Sequence, residues 1–363
     1  MKKLLSALLI ALMLVTLFAS CAMNLETDTT TSATPPTNPP ADGDGDGNDD
    51  DNPSDGGQSK EESPSVIRVY SLNGTTGFGM AKLMNDNKNN SKYQFTVQSD
   101  ASVVSAALIN GDVDIAALPT NAASTVYNRS EGGVKILAVN TLGCLYVLTK
   151  EGVTLNSFAD LRGKTVYVPA QNPTFIFTDL CKKNNLIPGT DITVDSTSYA
   201  KPADMRDAIA SGAVEIAVLP EPMVTVAMAK AKQGGVTLKN AMDLTEEWDK
   251  VNTPGSLVQG CIVVRTAFLE KYPTAVKEFL TAYEASINYL STNTAEAAQM
   301  IAENGIFEQA AIAEKAIPNC NVCYLAGEEM KNAMKVYLSV LNAIQPTSIG
   351  GKLPDDNFYY IGQ

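Results

Sequence analysis

The sequence has 363 residues, of which 45% are hydrophobic and 18% charged, a composition typical of a globular protein with a large core. Histidine is absent, and this excludes catalytic triads that depend on histidine and metal sites that need imidazole. The net charge of −13 argues against a nucleic-acid partner, because nucleic acids are bound by clustered Lys and Arg.

The first 21 residues are predicted to be an export signal. Lys2 and Lys3 precede a short apolar run at 4–18, and small residues lead to Cys21. The run is too short to span a membrane comfortably. The stretch 17–21 resembles the lipoprotein box of bacteria, and the resemblance implies that Cys21 carries diacylglycerol and becomes the mature N terminus. Ordinary secretion with a chance cysteine is the alternative.

The next segment, 22–64, is predicted to be a disordered acidic tether. It holds eleven acidic residues against the single base Lys60, and apolar side chains are nearly absent. Such a composition cannot offset the entropy cost of folding. An Asp-Gly run at 42–47 is weakly similar to a calcium loop, but no carboxylate closes it at the required distance. We expect the body of the protein to lie outside the cell, near a membrane.

From residue 65 onward, predicted strands alternate with predicted helices, a pattern typical of a parallel α/β sheet. The segment 107–119, ALINGDVDIAALP, returns as AIASGAVEIAVLP at 208–220. Each copy contains a helix end, a Gly, an acidic residue, a buried strand and a Pro. The repeat predicts two α/β lobes built on one plan.

Two further strands, 143–149 and 260–266, are predicted to cross between the lobes as a hinge, and helices are predicted at 273–292, 295–304 and 327–344. We therefore assign residues 65–150 and 259–363 to lobe 1 and residues 151–258 to lobe 2.

An exported two-lobed α/β body is the plan of the bacterial solute-binding proteins of ABC importers. The opening of the second lobe, FADLRGKTVYV at 158–168, the duplicated strands and the segment FLEKYPTAV at 268–276 resemble the branch that binds nitrate, sulfonates, taurine and thiamine precursors. The resemblance covers about residues 65–345. It implies a type II periplasmic-binding-protein-like fold, in which mostly parallel sheets are flanked by helices and joined by two hinge strands.

Ligands of parallel α/β sheets bind beyond the carboxyl ends of the strands, where helix N-termini present free N–H groups. Four predicted strand-to-helix turns lie there, two in each lobe. Their polar side chains are the candidate ligand contacts: Asn73, Thr75, Thr76, Thr120, Asn121, Gln171, Asn172, Thr174 and Glu221. The same residue types are also ordinary helix caps. For Glu221, capping its own helix and binding a ligand N–H group are both open.

The cysteines offer little chemistry in this sequence. Cys320 and Cys323 form a C-x-x-C pair that we place among C-terminal helices, away from the cleft, as buried small side chains, and a redox-active disulfide between them is left open. Without histidine or a second such pair, no zinc site is expected. Cys144 and Cys261 take matching places on the crossing strands, and a disulfide between them is left open. The spacing of Gly74, Gly77 and Gly79 does not match a dinucleotide motif, and no cofactor is expected.

The expected function is capture of a small organic solute of the sulfonate, taurine or thiamine-precursor-like class and its delivery to an ABC permease. We expect a monomer that is not an enzyme, held by lipid on the extracytoplasmic face of the cell membrane. The near absence of basic residues in the four turns argues against a strongly charged inorganic anion. Two alternatives are a lyase-type enzyme on the same fold, using Glu221, and a sensor lipoprotein that presents ligand to a receptor.

Overall fold

Two β-sheets form the centre of the molecule. The structure is a computed structural model that describes residues 63–362. Within that range the strands are β1 (Ile67–Leu72), β2 (Tyr93–Gln98), β3 (Ile115–Pro119), β4 (Val134–Leu142), β5 (Leu145–Lys150), β6 (Thr165–Tyr167), β7 (Thr193–Asp195), β8 (Ile216–Pro220), β9 (Leu238–Asp243), β10 (Val258–Arg265) and β11 (Val322–Ala326). The predicted signal peptide, its Cys21 and nearly all of the predicted tether lie outside the described residues.

Helices cover both sheets. They are α1 (Thr75–Phe78), α2 (Ala81–Asp86), α3 (Ala101–Asn110), α4 (Thr120–Arg129), α5 (Asn172–Lys183), α6 (Pro202–Ala210), α7 (Met223–Gln233), α8 (Leu244–Val251), α9 (Thr266–Lys271), α10 (Pro273–Thr292), α11 (Thr294–Glu303), α12 (Ala310–Ala316) and α13 (Gly327–Ile344). The predicted helices at 273–292 and 327–344 are confirmed to the residue. Among residues 63–362, no helix combines the length and apolarity needed to cross a membrane.

Each sheet is mixed. Sheet A has the order β11-β4-β10-β3-β1-β2, in which β1 pairs in parallel with β2 and β3, whereas β10 and β11 run antiparallel to their neighbours. Sheet B has the order β7-β6-β8-β5-β9, with β6 parallel to β7 and β8, and β5 antiparallel to both of its neighbours. The predicted fold class is confirmed, and the antiparallel pairs arise where the chain passes from one lobe to the other.

Both predicted boundaries between the lobes need correction. Val258 begins β10 of sheet A, so it belongs to lobe 1 and not to lobe 2. Strand β5 pairs with β8 and β9 in sheet B, so residues 145–150 belong to lobe 2 and not to lobe 1. The chain leaves sheet A at the end of β4 and enters sheet B after two residues, Gly143 and Cys144. Apolar strand composition predicted β5, but composition does not show which sheet supplies its hydrogen-bond partners.

Helix α13 joins the cores of the two lobes. Its buried side chains are Met330, Met334, Tyr337, Leu338 and Leu341, which share one helix face. They belong to one hydrophobic cluster with side chains of both sheets. The Tyr337 ring lies 6.0 Å from that of Trp248 on α8, centroid to centroid. The C-terminal helix therefore completes lobe 1 and also packs against lobe 2.

Candidate functional site

The carboxyl ends of strands from both sheets carry the four predicted turns. Helix α1 follows β1, α4 follows β3, α5 follows β6, and α7 follows β8. Pro173 lies in the first turn of α5, where its missing N–H costs no hydrogen bond. Gln171, the residue before α5, has a φ of 68°, which turns the chain sharply into that helix. Each of the four turns is anchored by the strand that precedes it, β1, β3, β6 or β8.

The first contact between the lobes joins Thr75 to Glu221. The Thr75 hydroxyl donates a hydrogen bond of 2.7 Å to the backbone carbonyl oxygen of Glu221. Both residues are buried. The Thr75 oxygen also lies 3.8 Å from the Cys320 Sγ atom. Two predicted site residues from opposite lobes are thus brought into direct contact.

The second contact between the lobes joins two amide side chains. Asn172 Nδ2 donates to Asn121 Oδ1 at 2.7 Å, and Asn121 Nδ2 donates to the Ser348 carbonyl oxygen at 3.2 Å. The Asn172 Oδ1 atom is buried and has no hydrogen-bond partner among the described residues. An unpaired buried acceptor is costly, and a ligand N–H or O–H group placed here would satisfy it.

The Glu221 carboxylate lies at the start of α7, two residues before the helix begins. Its Oε2 atom accepts from the Thr225 backbone N–H at 3.1 Å, and its Oε1 atom accepts from the Thr225 hydroxyl at 2.9 Å. The residue is 3% exposed, and burial raises the pKa of the carboxyl against the opposing effects of the Thr225 hydrogen bonds and of the Asn319 side chain. The Thr225 contacts are typical of a helix cap, whereas the Asn319 side chain reaches the carboxyl from lobe 1.

The remaining predicted site residues differ in their contacts. The Thr120 hydroxyl donates to the Val258 carbonyl oxygen at 2.7 Å, and the Thr174 hydroxyl donates to that of Pro169 at 2.8 Å, so both hold their own lobe together. The Thr76 carbonyl oxygen accepts from Asn140 Nδ2 at 3.0 Å. Asn73 is exposed at the end of β1.

A pocket of about 420 Å³ opens beside the second contact. It lies between α3 and α4 of lobe 1, and Gln171 closes it from lobe 2. Asn121 lines it as well, so one predicted residue from each lobe faces this pocket.

Sequence reasoning missed a third contact between the lobes. The Tyr146 hydroxyl donates to the Asn319 carbonyl oxygen at 2.8 Å. Burial raises the pKa of the Tyr146 phenol. Tyr146 was considered only as an aromatic ring near the turns, and Asn319 was not considered. No local pattern marks Asn319, because only the pairing of β11 with β4 brings its segment to the cleft.

The placement of the C-x-x-C segment was wrong. Cys320 lies against Thr75 at the cleft, and Cys323 is part of β11, an edge strand of sheet A. A strand of five residues between helices was not recognised. The five cysteines of the described range are free thiols, and burial raises the pKa of Cys144 to about 12. No group of His, Cys, Asp or Glu within residues 63–362 is arranged to hold a metal ion.

Several solved structures with the same fold are named as proteins of ABC transport or solute binding. An ABC transporter protein from Parabacteroides distasonis is 26% identical, with a TM-score of 0.69 over 83% of this chain and all of that chain. The periplasmic aliphatic sulphonate-binding protein SsuA of Escherichia coli is 16% identical, with a TM-score of 0.62 over 82% of this chain and 92% of its own. A ligand-binding component of an ABC-type import system from Staphylococcus aureus is 16% identical, with a TM-score of 0.61 over 82% of this chain and 97% of its own.

Comparison with curated protein sequences gave no match. A family model described as NMT1/THI5 like matches residues 92–297, which is more than half of the chain and includes three of the four turns. The match agrees with the resemblance drawn from the duplicated strands and with the two-lobed architecture. The chain is therefore a member of the NMT1/THI5-like family with the fold of the periplasmic binding proteins.

Proposed function

We propose that this protein is the extracytoplasmic solute-binding subunit of an ABC importer. It captures a small organic solute between its lobes and delivers it to a membrane permease. The observation that carries the proposal is the pair of contacts between the carboxyl edges of the two sheets, Thr75 with Glu221 and Asn121 with Asn172. Side chains that meet across a cleft can close on a solute, and the solute then shifts the population toward the closed form.

Capture without turnover is part of the proposal. A lyase on this fold would need a free carboxylate, and Glu221 is the only acidic residue among the predicted contacts. Its two oxygens are engaged by Thr225, which supports a structural role. Release of product from any solute that binds would favour the enzyme instead.

The solute we propose belongs to the sulfonate, taurine or thiamine-precursor-like class and carries an N–H or O–H donor. The buried Asn172 Oδ1 atom supports a donor, because it lacks a partner among the described residues. Helix N-termini at α4, α5 and α7 favour a carbonyl-rich or anionic group at the other end of the solute. The SsuA neighbour is an aliphatic sulphonate-binding protein by name.

The location and partners that we propose rest on the predicted export signal. We propose that Cys21 is lipidated and that residues 22–64 tether a monomeric body to the outer face of the cell membrane. The partners are then the solute, the permease and the membrane, with no nucleic acid. A sensor lipoprotein remains the second candidate, because capture and closure would serve a receptor equally well. Solute uptake by vesicles that contain the cognate permease, with and without this protein, separates the two.

The test is thermal unfolding of the full chain in lipid nanodiscs against alkanesulfonates, taurine, nitrate and aminopyrimidines. A solute at a hundred times its Kd stabilises the fold by about 2.7 kcal/mol, which raises the midpoint by several degrees. We expect a shift with one organic class that Asn172→Ala abolishes and that the exposed control Asn240→Ala keeps. A shift that survives Asn172→Ala, or no shift with any solute, contradicts the proposed site.

A further inference from the structure

A second cavity lies between the lobes, apart from the predicted contacts. It has a volume of about 590 Å³ and is lined by α7 and the segment 235–238 of lobe 2 and by α12 of lobe 1. Thr225, the residue that binds Glu221, also lines it. Because both lobes supply walls, a molecule in this cavity would contact both at once.

The walls of this cavity are largely apolar. Met228 and Leu238 of lobe 2 and Ile312 of lobe 1 line it, together with Val236. Met228 is 38% exposed, although Ala227 beside it and Val224 and Ala231 one turn away are buried. An exposed methionine beside other apolar side chains offers a flexible contact for an alkyl chain.

Two lysines face the same cavity from opposite lobes. Lys232 extends from the last turn of α7 and Lys315 from α12. Neither forms an ion pair with another residue of the described range, whereas Lys230 on the same helix is paired with Asp207. Like charges that share a cavity repel each other, and a bound anion would remove that repulsion.

We propose that this cavity binds a free amphiphilic anion, such as a sulfonate or carboxylate on a short alkyl chain. The anionic group lies between Lys232 and Lys315, and the chain lies against Met228, Leu238 and Ile312. The site is separate from the four turns. Since its walls come from both lobes, its occupant favours the closed arrangement and strengthens binding of solute at the turns.

The test uses hexane-1-sulfonate as the probe and isothermal titration of the full chain in nanodiscs of neutral lipid, with empty discs as the blank. We expect binding that weakens at least about tenfold in the double variant Lys232→Glu/Lys315→Glu. The control Lys239→Glu changes the same charge on an exposed residue of β9 that does not line the cavity. It should keep the affinity of the wild-type protein.

Two further probes separate the two halves of the proposed ligand. Methanesulfonate lacks the chain and hexyltrimethylammonium carries the opposite charge, so both should bind at least about tenfold more weakly. Equal binding of either probe, or an unchanged affinity in the double variant, overturns the proposal. Loss of binding in Asn172→Ala with retention in the double variant places the probe at the turns and also overturns it.

A measurement with lipid vesicles distinguishes a membrane lipid from a free small molecule as the ligand of this cavity. Binding to vesicles of anionic lipid without binding of the free probe would identify a membrane contact in place of a small-molecule site, and would overturn the proposal.

Discussion

The two copies of the internal repeat share a backbone and differ in the environment of their acidic residues. Strands β3 and β8 have the same burial along their length, and each pairs antiparallel with a strand that carries the chain between the lobes. Asp114 of the first copy is 3% exposed and accepts hydrogen bonds from Arg68 Nε at 3.0 Å and Nη2 at 2.6 Å. The equivalent Glu215 is exposed.

The comparison shows which properties belong to the repeated pattern. Apolar residues followed by Pro specify the strand and its register in both copies. The acidic residue is buried only in the copy whose neighbouring strands supply arginines, Arg68 from β1 and Arg265 from β10. The equivalent places in lobe 2 hold Thr165 and Lys150, neither of which offers a guanidinium, and Glu215 stays exposed. Four predictions test this comparison.

Replacing the acidic residues of the two copies, Asp114 and Glu215, should give the largest difference in unfolding free energy. Asp114→Ala leaves the Arg68 side chain and the half-buried Arg68 backbone N–H without their acceptor, and should lower the free energy of unfolding by about 2–3 kcal/mol. Glu215→Ala should change it by less than about 0.5 kcal/mol. Urea unfolding of both variants measures the two effects. Equal losses would mean that the acid has the same role in both lobes.

Replacing the glycine that follows the helix should have the second-largest effect on stability, and this effect should be equal in the two copies. Gly111 and Gly212 follow their helices with φ values of 83° and 74°, which strain any residue with a Cβ atom. Alanine at either position should cost about 1–2 kcal/mol of unfolding free energy. An added Cβ would lie 3.0 Å from the Arg265 guanidinium at Gly111, and 3.3 Å from Lys150 Nζ and 3.7 Å from Val236 Cγ2 at Gly212. A clear inequality in the same urea series would show that the two turns are not equivalent.

A smaller effect should separate contacts within a lobe from contacts between lobes. Thr75→Val removes the donor to the Glu221 carbonyl oxygen and should weaken solute binding about fivefold, equal to about 1 kcal/mol. Thr120→Val removes a comparable bond to Val258 inside lobe 1 and should reduce stability without changing the affinity. Isothermal titration calorimetry, with the solute identified by thermal shift, measures the affinity of both variants. An unchanged affinity in Thr75→Val would remove this bond from the closure mechanism.

The smallest expected effect is the pH dependence contributed by Glu221. Burial raises the pKa of its carboxyl in the folded protein above the ordinary 4.5, so the folded state holds the proton more tightly than the unfolded state. The contribution to stability is therefore present below pH 4.5 and is lost as the pH rises through the folded pKa. Glu221→Gln should lack this loss. We expect the difference between wild-type and variant unfolding free energies to change over that pH range, and a constant difference would contradict the raised pKa.

Much of the fold could be predicted from the sequence because its strands and helices have strong apolar periodicity. The repeat predicted two lobes, and the apolar spacing predicted α10 and α13 to the residue. The sheet that receives β5 could not be predicted, since its residues LYVLTK satisfy either sheet. Strand β11 is half-buried along its whole length, so it shows no alternation that would mark it as a strand.

The candidate site was predictable at the level of turns and less so at the level of side chains. Strand ends followed by Asn, Thr and Glu identified two of the three contacts described between the lobes. The same signal included Thr120 and Thr174, whose hydroxyls bind carbonyl groups within their own lobes. Capping and ligand binding use the same residue types, and only the approach of the second lobe separates them. Asn319 and Cys320 come from a distant segment whose C-x-x-C motif does not indicate a position at the cleft.

The insertion of lobe 2 into lobe 1 has a consequence for the order in which the protein assembles. All strands of sheet B lie within residues 145–243. In sheet A, by contrast, Leu118 of β3 pairs with Cys261 of β10, which is 143 positions later in the sequence. Closing so long a loop is slow compared with local pairing. We expect amide groups of sheet B to become protected before those of β3 in pulse-labelled hydrogen exchange during refolding. Lobe 2, whose residues lie in the middle of the sequence, would thus fold first. Lobe 1 would complete its sheet only after lobe 2 has folded.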